Sequence, residues 1–121
     1  MTKSVELSLP WPPSVNKIWA TTSKGKWYET KVATEFKEYV IYYARTKKIA
    51  RFKPDDKIFF KMLAFPADNR RRDLDNLAKV VCDALQEAKV FKNDCQIKKI
   101  YMEMMPKNNV GNVIVTLEMI E

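Results

Sequence analysis

Residues 58–88, IFFKMLAFPADNRRRDLDNLAKVVCDALQEA, contain the two elements that decide the fold. The apolar run 58–65 is short and ends at Pro66, so it predicts a strand buried on both faces. After the polar loop 67–72, apolar residues recur at spacings of three and four, which predicts a helix from about Asp73 to Ala88. The predicted core stripe of this helix is Leu74, Leu77, Val81, Leu85 and Ala88.

The chain before this stretch has the pattern of a strand followed by a helix. Residues 5–9 alternate between apolar and polar side chains, as in a half-buried strand, until prolines end the run. We predict that residues 11–26 form an irregular segment and that residues 27–28 form a short strand. The first helix is expected to begin at Thr30, a suitable N-cap. Its predicted apolar stripe is Val32, Phe36, Tyr39, Val40 and Tyr43.

Two further strands are predicted near the C-terminus, where residues 100–104 and 113–119 alternate in polarity. The order β-(β)-α-β-α-β-β then predicts an α/β (α+β) fold, with two helices packed on a mixed sheet of four to five strands. The sequence contains no internal repeat, low-complexity tract or linker. A single domain over residues 1–121 is therefore expected.

Composition excludes several classes of function. The 121 residues include no histidine, which excludes Cys/His zinc sites, Ser-His-Asp triads and histidine proton transfer. Cys82 and Cys95 have no CxxC partner, so they are predicted to be free packing residues, with a disulfide as the alternative. No apolar run reaches the roughly 18 residues of a membrane span, and the first residues are not those of a signal peptide. We therefore expect a cytoplasmic location.

The net charge of +7 predicts a polyanionic partner, nucleic acid before an acidic membrane surface. Arg70, Arg71 and Arg72 stand beside acidic residues, where they would draw a phosphate backbone toward a metal ion. A solvated charge run is the alternative for all of these groups. The predicted DNA-contacting residues are Arg70, Arg71, Arg72, Lys47, Lys48, Arg51, Lys24 and Lys26.

The start of the second predicted helix carries candidate metal ligands. At about 100° per residue, Asp75 and Lys79 share a polar arc away from the leucines, and Asp73 lies in the first turn beside them. Asp94, in the turn after the helix, is a third candidate. Carboxylates without nitrogen or sulfur donors suit Mg²⁺ or Mn²⁺, ions that activate water and stabilise charge in phosphodiester hydrolysis. Lys79 would neutralise charge in the transition state.

Each of these residues also has an ordinary structural role open to it. Aspartate is favoured at an N-cap and in the first helical turn, where it satisfies free N–H groups and complements the helix dipole. Asp94 stands in a Lys-Asn-Asp turn, where aspartate often bonds its own backbone. Lys79 has the alternative of a solvated helix residue. The aromatic residues Trp11, Trp19, Trp27 and Tyr28 fit core or sheet cover better than stacking on unpaired bases.

Four segments occur in one order along most of the chain: LPWPPSVN at 9–16, RDLDNLAK at 72–79, DAL at 83–85 and NDCQI at 93–97. Together they resemble the RusA family of Holliday-junction resolvases, and the RRDLDN run is specific to it. The sequence departs from the family at Asn93, where members often carry the first acid of an Asp-Asp pair. The second acid is kept, with a lower local charge.

The resemblance implies three aspartate ligands for Mg²⁺ and an assisting lysine, roles that fall on Asp73, Asp75, Asp94 and Lys79. It also implies a homodimer, whose two-fold symmetry matches a four-way DNA junction. The expected activity is paired, symmetric phosphodiester hydrolysis that resolves Holliday junctions in DNA recombination and repair, in a bacterial or phage-encoded protein. No membrane partner and no organic cofactor are expected. Two alternatives stay open: a non-catalytic nucleic-acid-binding module, and a metal-dependent nuclease for flaps or other branched DNA.

Overall fold

The predicted strands at the two ends of the chain and in its middle meet in one sheet. In the computed structural model, residues 3–14 and 19–121 are described. The elements are β1 Ser4–Pro10, β2 Trp19–Thr21, β3 Trp27–Glu29, α1 Lys31–Thr46, β4 Lys57–Phe65, α2 Leu74–Glu87, β5 Ile97–Met104 and β6 Asn112–Ile120. This order confirms the predicted α+β arrangement and adds β2, which sequence reasoning placed within an irregular segment.

The main sheet has the strand order β1-β6-β4-β5, and β2 pairs with β3 in a separate two-stranded hairpin. β6 runs antiparallel to both β1 and β4, whereas β4 and β5 are parallel. Parallel neighbours require a long crossover, and here α2 supplies it. The mixed sheet therefore places the start of α2 just beyond the end of β4.

The core lies between one face of the sheet and the two helices. Alternate residues of β1, β4 and β6 are fully buried on this face, and they join one apolar cluster with residues of α1 and α2. Burying a large aliphatic or aromatic side chain contributes about 1.5–3 kcal/mol, so this alternation also fixes the strand register. The largest buried side chains from the sheet are Phe60, Leu7, Leu9, Ile58, Met62 and Leu117.

Two burial predictions need correction. β4 is fully buried on one face only; Phe59 and Leu63, on the other, are half-buried because no second layer covers that face in the described part of the chain. In α1, Val32 and Tyr39 are exposed, by 54% and 44% respectively. The buried stripe of α1 instead runs through Ala33, Phe36, Val40 and Ala44. Two small alanines face the core there, which allows close packing.

Local sequence explains the helix ends. Thr30 caps α1, since its side-chain oxygen accepts a hydrogen bond from the Ala33 N–H at 3.4 Å, as predicted. The α2 stripe is buried from Leu77 onward, with Leu74 partly buried. Cys82 and Cys95 are both free, but Cys95 is exposed, so its predicted packing role is wrong. Among the described residues, no helix is long and apolar enough to cross a membrane.

Candidate active site

A cleft of about 610 Å³ opens at the start of α2. It is lined by residues 11–14, by Val32 in the first turn of α1, by residues 70–73, and by Asn76 and Leu77. Val15 and Asn16, which belong to the motif at 9–16, lie outside the described residues. The cleft combines carboxylate, amide and guanidinium groups at one helix N-terminus.

Asp73 occupies the N-cap position of α2, with extended backbone angles (φ −102°, ψ 122°), but its side chain makes no capping hydrogen bond. Its carboxylate instead accepts a long hydrogen bond, 3.4 Å, from the Asn76 side-chain amide. Asp75 accepts from the Asn76 N–H at 3.0 Å. Both aspartates are exposed. Side-chain capping, the structural alternative for Asp73, is therefore not its role here.

Lys79 lies one helical turn after Asp75 and is exposed. Residues four apart on a helix face the same side, so the ammonium and the carboxylate share one surface. No ion pair or hydrogen bond holds the Lys79 side chain within the described ranges. Its charge is available to an external anion.

The turn that carries Asp94 is capped by its neighbour. Asn93 accepts a hydrogen bond from the Cys95 N–H at 2.9 Å, and Gln96 completes a capping box with it. The Asp94 carboxylate is exposed and takes no part in the capping. The role that sequence reasoning offered to Asp94 as an alternative thus belongs to Asn93.

Gln96 fixes this turn in place, a function that sequence reasoning missed. Its buried side-chain oxygen accepts from the N–H groups of Lys92 and Asn93, both at 3.0 Å. Its amide donates to the carbonyl oxygens of Lys53 and Asp56, at 2.8 and 2.9 Å. Four satisfied hydrogen bonds on one buried side chain hold the turn against the loop before β4.

Asp94 approaches α2 farther along than the other two acids. Burial first, and then the charges of the Asp83 and Asp94 carboxylates, raise the pKa of the Cys82 thiol to about 12. Cys82 lies seven residues after Asp75, about 10 Å along the helix axis. Within residues 3–14 and 19–121, no three acidic or cysteine side chains are grouped closely enough to hold a metal ion. Asp73 and Asp75 therefore both contact Asn76 at the start of α2, whereas Asp94 lies in the turn that follows this helix and is not grouped with them among the described residues.

Residues 68–72, which we call the arginine strap, enter the cleft ahead of α2. Asp68 accepts from the Arg72 guanidinium at 2.7 Å and from the Arg70 N–H at 3.0 Å. These contacts, the Arg70 backbone N–H first, hold the pKa of Asp68 well below its usual range. The Arg72 guanidinium also lies 5.1 Å from the centre of the Trp11 ring. The sequence did not predict these roles for Asp68 and Trp11, because residues 68–72 are not helical and their spacing carries no readable period.

The predicted DNA-contacting residues separate into two groups. Arg72 is mostly buried, with 15% of its side chain exposed, and Arg51 donates to the carbonyl oxygens of Ala88 and Lys89 at the end of α2. Arg70 is exposed but paired with Asp68 at 3.1 Å. The side chains of the others are exposed and form no ion pair in the part of the chain that the structure describes. This second group is Arg71, Lys47, Lys48, Lys24 and Lys26.

The cleft of this small basic α+β domain joins one exposed carboxylate, Asp73, to three arginines, an arrangement suited to an enzyme that acts on a phosphate-bearing polymer. The family model described as "Endodeoxyribonuclease RusA" matches residues 10–118. The chain therefore belongs to the RusA endodeoxyribonuclease family, enzymes that hydrolyse phosphodiester bonds.

Proteins that are similar to this chain over nearly its full length share one name. A crossover junction endodeoxyribonuclease RusA of Escherichia coli K12 is 32% identical over 118 residues, covering 92% of this chain and 91% of the relative. The crossover junction endodeoxyribonuclease of Enterobacteria phage HK97 is 31% identical over 113 residues, covering 91% and 92%. That of Shigella sonnei is 30% identical over 118 residues, covering 92% and 91%.

Proposed function

We propose that this protein is a Mg²⁺-dependent endodeoxyribonuclease that resolves Holliday junctions by paired, symmetric hydrolysis of two phosphodiester bonds. The observation that carries the proposal is the exposed carboxylate of Asp73, which stands at a helix N-terminus without capping it and accepts one long hydrogen bond, from Asn76. A carboxylate released from the capping role usual at this position is available to bind a cation. The names of the relatives, crossover junction endodeoxyribonucleases, support the substrate.

The donor set fits a hard divalent cation. Asp73, Asp75 and Asp94 supply oxygen ligands alone, which suits Mg²⁺, with Mn²⁺ as the alternative. Asp94, presented from the turn that Gln96 anchors, would be the third oxygen ligand. When bound, such an ion activates a water and stabilises charge on the attacking and leaving oxygens.

Basic residues in and near the cleft would position the substrate and stabilise its charge. Arg71, exposed and unpaired in the described chain, would attract a phosphate to the mouth of the cleft, and the helix N-terminus beneath it favours an anion. Lys79 would offset the negative charge that builds on the phosphate as water attacks phosphorus and the sugar oxygen leaves. Arg72, held by Asp68 and Trp11, keeps the strap rigid so that Arg71 is presented from a fixed backbone.

A four-way junction offers two equivalent strands, so its resolution requires two matched sites. We infer a C₂ homodimer, the commonest closed assembly, which supplies them. Two chains of +7 each give the dimer a charge of +14, which suits four phosphate-rich arms. The inferred setting is the cytoplasm of a bacterium or of a phage-infected cell, in DNA recombination and repair.

The deciding experiment compares the wild-type protein with Asp75→Asn on a synthetic four-way junction, a flap and a linear duplex, each with and without Mg²⁺. We expect wild-type cleavage of the junction alone, dependent on Mg²⁺, at symmetric positions on two strands. Asp75→Asn removes one proposed ligand charge, so cleavage should fall at least about 100-fold, with junction affinity within a few-fold of wild type.

The outcomes separate the proposal from its two alternatives. Equal or faster cutting of flaps would assign the enzyme to other branched DNA. An uncut junction at all Mg²⁺ and Mn²⁺ concentrations, despite tight binding, would favour a non-catalytic binding module. Glu87→Gln, an exposed acid near the far end of α2, is the matched control for loss of one carboxylate and should cut normally.

A further inference from the structure

The tip of the β2–β3 hairpin is ordered by its own backbone. The Thr22 N–H donates to the Lys26 carbonyl at 2.8 Å, and the Gly25 N–H donates to the Thr22 carbonyl at 2.9 Å. The Thr22 hydroxyl oxygen also accepts from the N–H groups of Lys24 and Lys26, at 3.3 and 3.2 Å. Gly25 has φ +81°, a left-handed conformation that glycine adopts without strain. The tip therefore presents its side chains from a defined turn.

The side chains on this hairpin are aromatic and cationic. Trp27 is 71% exposed and Trp19 is 53% exposed. The register pairs Thr21 with Trp27 and Trp19 with Glu29, which places both indoles on one face of the hairpin. Isolated exposed apolar residues are common, but two tryptophans on one face of so small a hairpin form an aromatic patch.

The charge of the hairpin is positive and unopposed. Lys24 and Lys26 are exposed, and neither forms an ion pair among the residues that the structure describes. Glu29 is the one acid between residues 19 and 29, and it is held at the hairpin base by Lys37 at 2.7 Å and by the Thr34 hydroxyl at 2.9 Å. The Lys37 contact is the main reason that the pKa of Glu29 is lowered. The free tip is complementary to phosphate.

The hairpin rises from the rim of the candidate active site. β3 ends at Glu29, Thr30 caps α1, and Val32 in the next turn lines the cleft together with Asp73 and Asn76. At about 3.3 Å per residue, Trp27 lies roughly 7 Å beyond Glu29 along the strand. A DNA strand whose phosphate lies in the cleft would thus pass beside the hairpin.

We propose that the β2–β3 hairpin is a stacking arm that recognises the branch point of the junction. Trp27 stacks on a base left without a stacking neighbour where the arms diverge, while Lys24 and Lys26 contact the flanking phosphates. Unpaired or unstacked bases offer an open π-face there, which a continuous duplex does not. The arm therefore adds affinity for branched over linear DNA. This inference rests on the proposed function, since it names the part of the protein that selects the branched substrate.

The test measures binding of the full-length protein, in EDTA so that no strand is cut, to a four-way junction and to a linear duplex of the same sequence. Trp27→Ala should weaken junction binding roughly tenfold and leave duplex binding within twofold, because stacking is lost only at the branch point. Trp27→Phe should recover most of the junction affinity. Tyr42→Ala, which removes an aromatic side chain 68% exposed on α1 away from the hairpin, should bind both DNAs as wild type does.

The lysines provide a second measurement. Lys24→Ala combined with Lys26→Ala should weaken binding to both DNAs and reduce the slope of log affinity against log salt by about 0.9 per lysine that contacts a phosphate. An unchanged junction-to-duplex affinity ratio in Trp27→Ala would overturn the inference, as would a wild-type protein without junction preference. Neither result bears on metal-dependent cutting, which the Asp75→Asn comparison decides separately.

Discussion

The arginine strap and the start of α2 adjoin each other in sequence and use their aspartates in opposite ways. In the strap, Asp68 accepts hydrogen bonds from two arginines, which offset its negative charge. At the start of α2, the Asp73 and Asp75 carboxylates form hydrogen bonds only with Asn76 among the described residues, and both remain exposed. The contrast shows that position next to basic residues does not decide a carboxylate's role. The direction in which the backbone aims each arginine decides it.

The largest expected effect separates the two regions by activity. Asp73→Asn should reduce Mg²⁺-dependent junction cleavage at least about 100-fold while leaving the thermal midpoint nearly unchanged, since this carboxylate makes one long hydrogen bond. Asp68→Asn should lower the midpoint and keep most of the cleavage rate at a temperature where both proteins are folded. Cleavage rates and thermal melts of both variants test this prediction. Loss of cleavage in Asp68→Asn together with loss of stability in Asp73→Asn would contradict it.

A smaller effect is expected from the strap itself. Arg72→Ala removes hydrogen bonds to the Asp68 carboxylate and to the carbonyl oxygens of Asp68 and Arg70, and it exposes Trp11. We expect a loss of about 2 kcal/mol in the free energy of unfolding, or roughly 5–10 °C in the midpoint. Arg72→Lys should rescue little, because an ammonium lacks the fork that reaches several acceptors. Denaturant titration gives the free energy, and full rescue by lysine would refute this account.

Substitution of Arg71 should weaken DNA binding, whereas substitution of Arg51 should lower stability. Arg71→Ala should leave the melting midpoint within about 1 °C and weaken DNA binding a few-fold, with a salt slope lower by about 0.9. Arg51→Ala, which removes bonds to the Ala88 and Lys89 carbonyls, should show the opposite pattern. Binding isotherms at several salt concentrations, beside thermal melts, make the comparison.

The smallest expected effect is a pH dependence from the strap. The pKa of Asp68 is lowered on folding, so its stabilising contribution is fully present above the ordinary aspartate value near 3.9 and is lost as pH falls toward the folded-state value. The difference in midpoint between wild type and Asp68→Asn should be constant above about pH 5 and shrink below it. A difference that grows on acidification would contradict the assigned sign.

Sequence reasoning reached most of the fold because the patterns it used are local. Alternation in β1, β4 and β6 follows from a sheet with one buried face, and the recurrence of Leu77, Val81 and Leu85 follows from a helix packed on it. The short strand β2 was missed because three residues around an exposed tryptophan carry no readable period. The prediction that β4 is buried on both faces was wrong, because an apolar run does not reveal whether a second layer of structure covers the sheet.

The sequence by itself determined the family, the strand and helix order, and the identity of the acids at the start of α2, since motifs and periodicities are properties of neighbouring residues. Only the tertiary structure decided which charges are free. Arg51, Arg71 and Arg72 are the same residue type, and the sequence does not distinguish them. In the fold, Arg72 is held by the Asp68 carboxylate and Arg51 by the helix-end carbonyls at 88 and 89. Likewise, Gln96 anchors the Asp94 turn through the Lys53 and Asp56 carbonyls, some 40 residues away in the sequence. Such partners come together only when distant segments pack, so no local pattern records them.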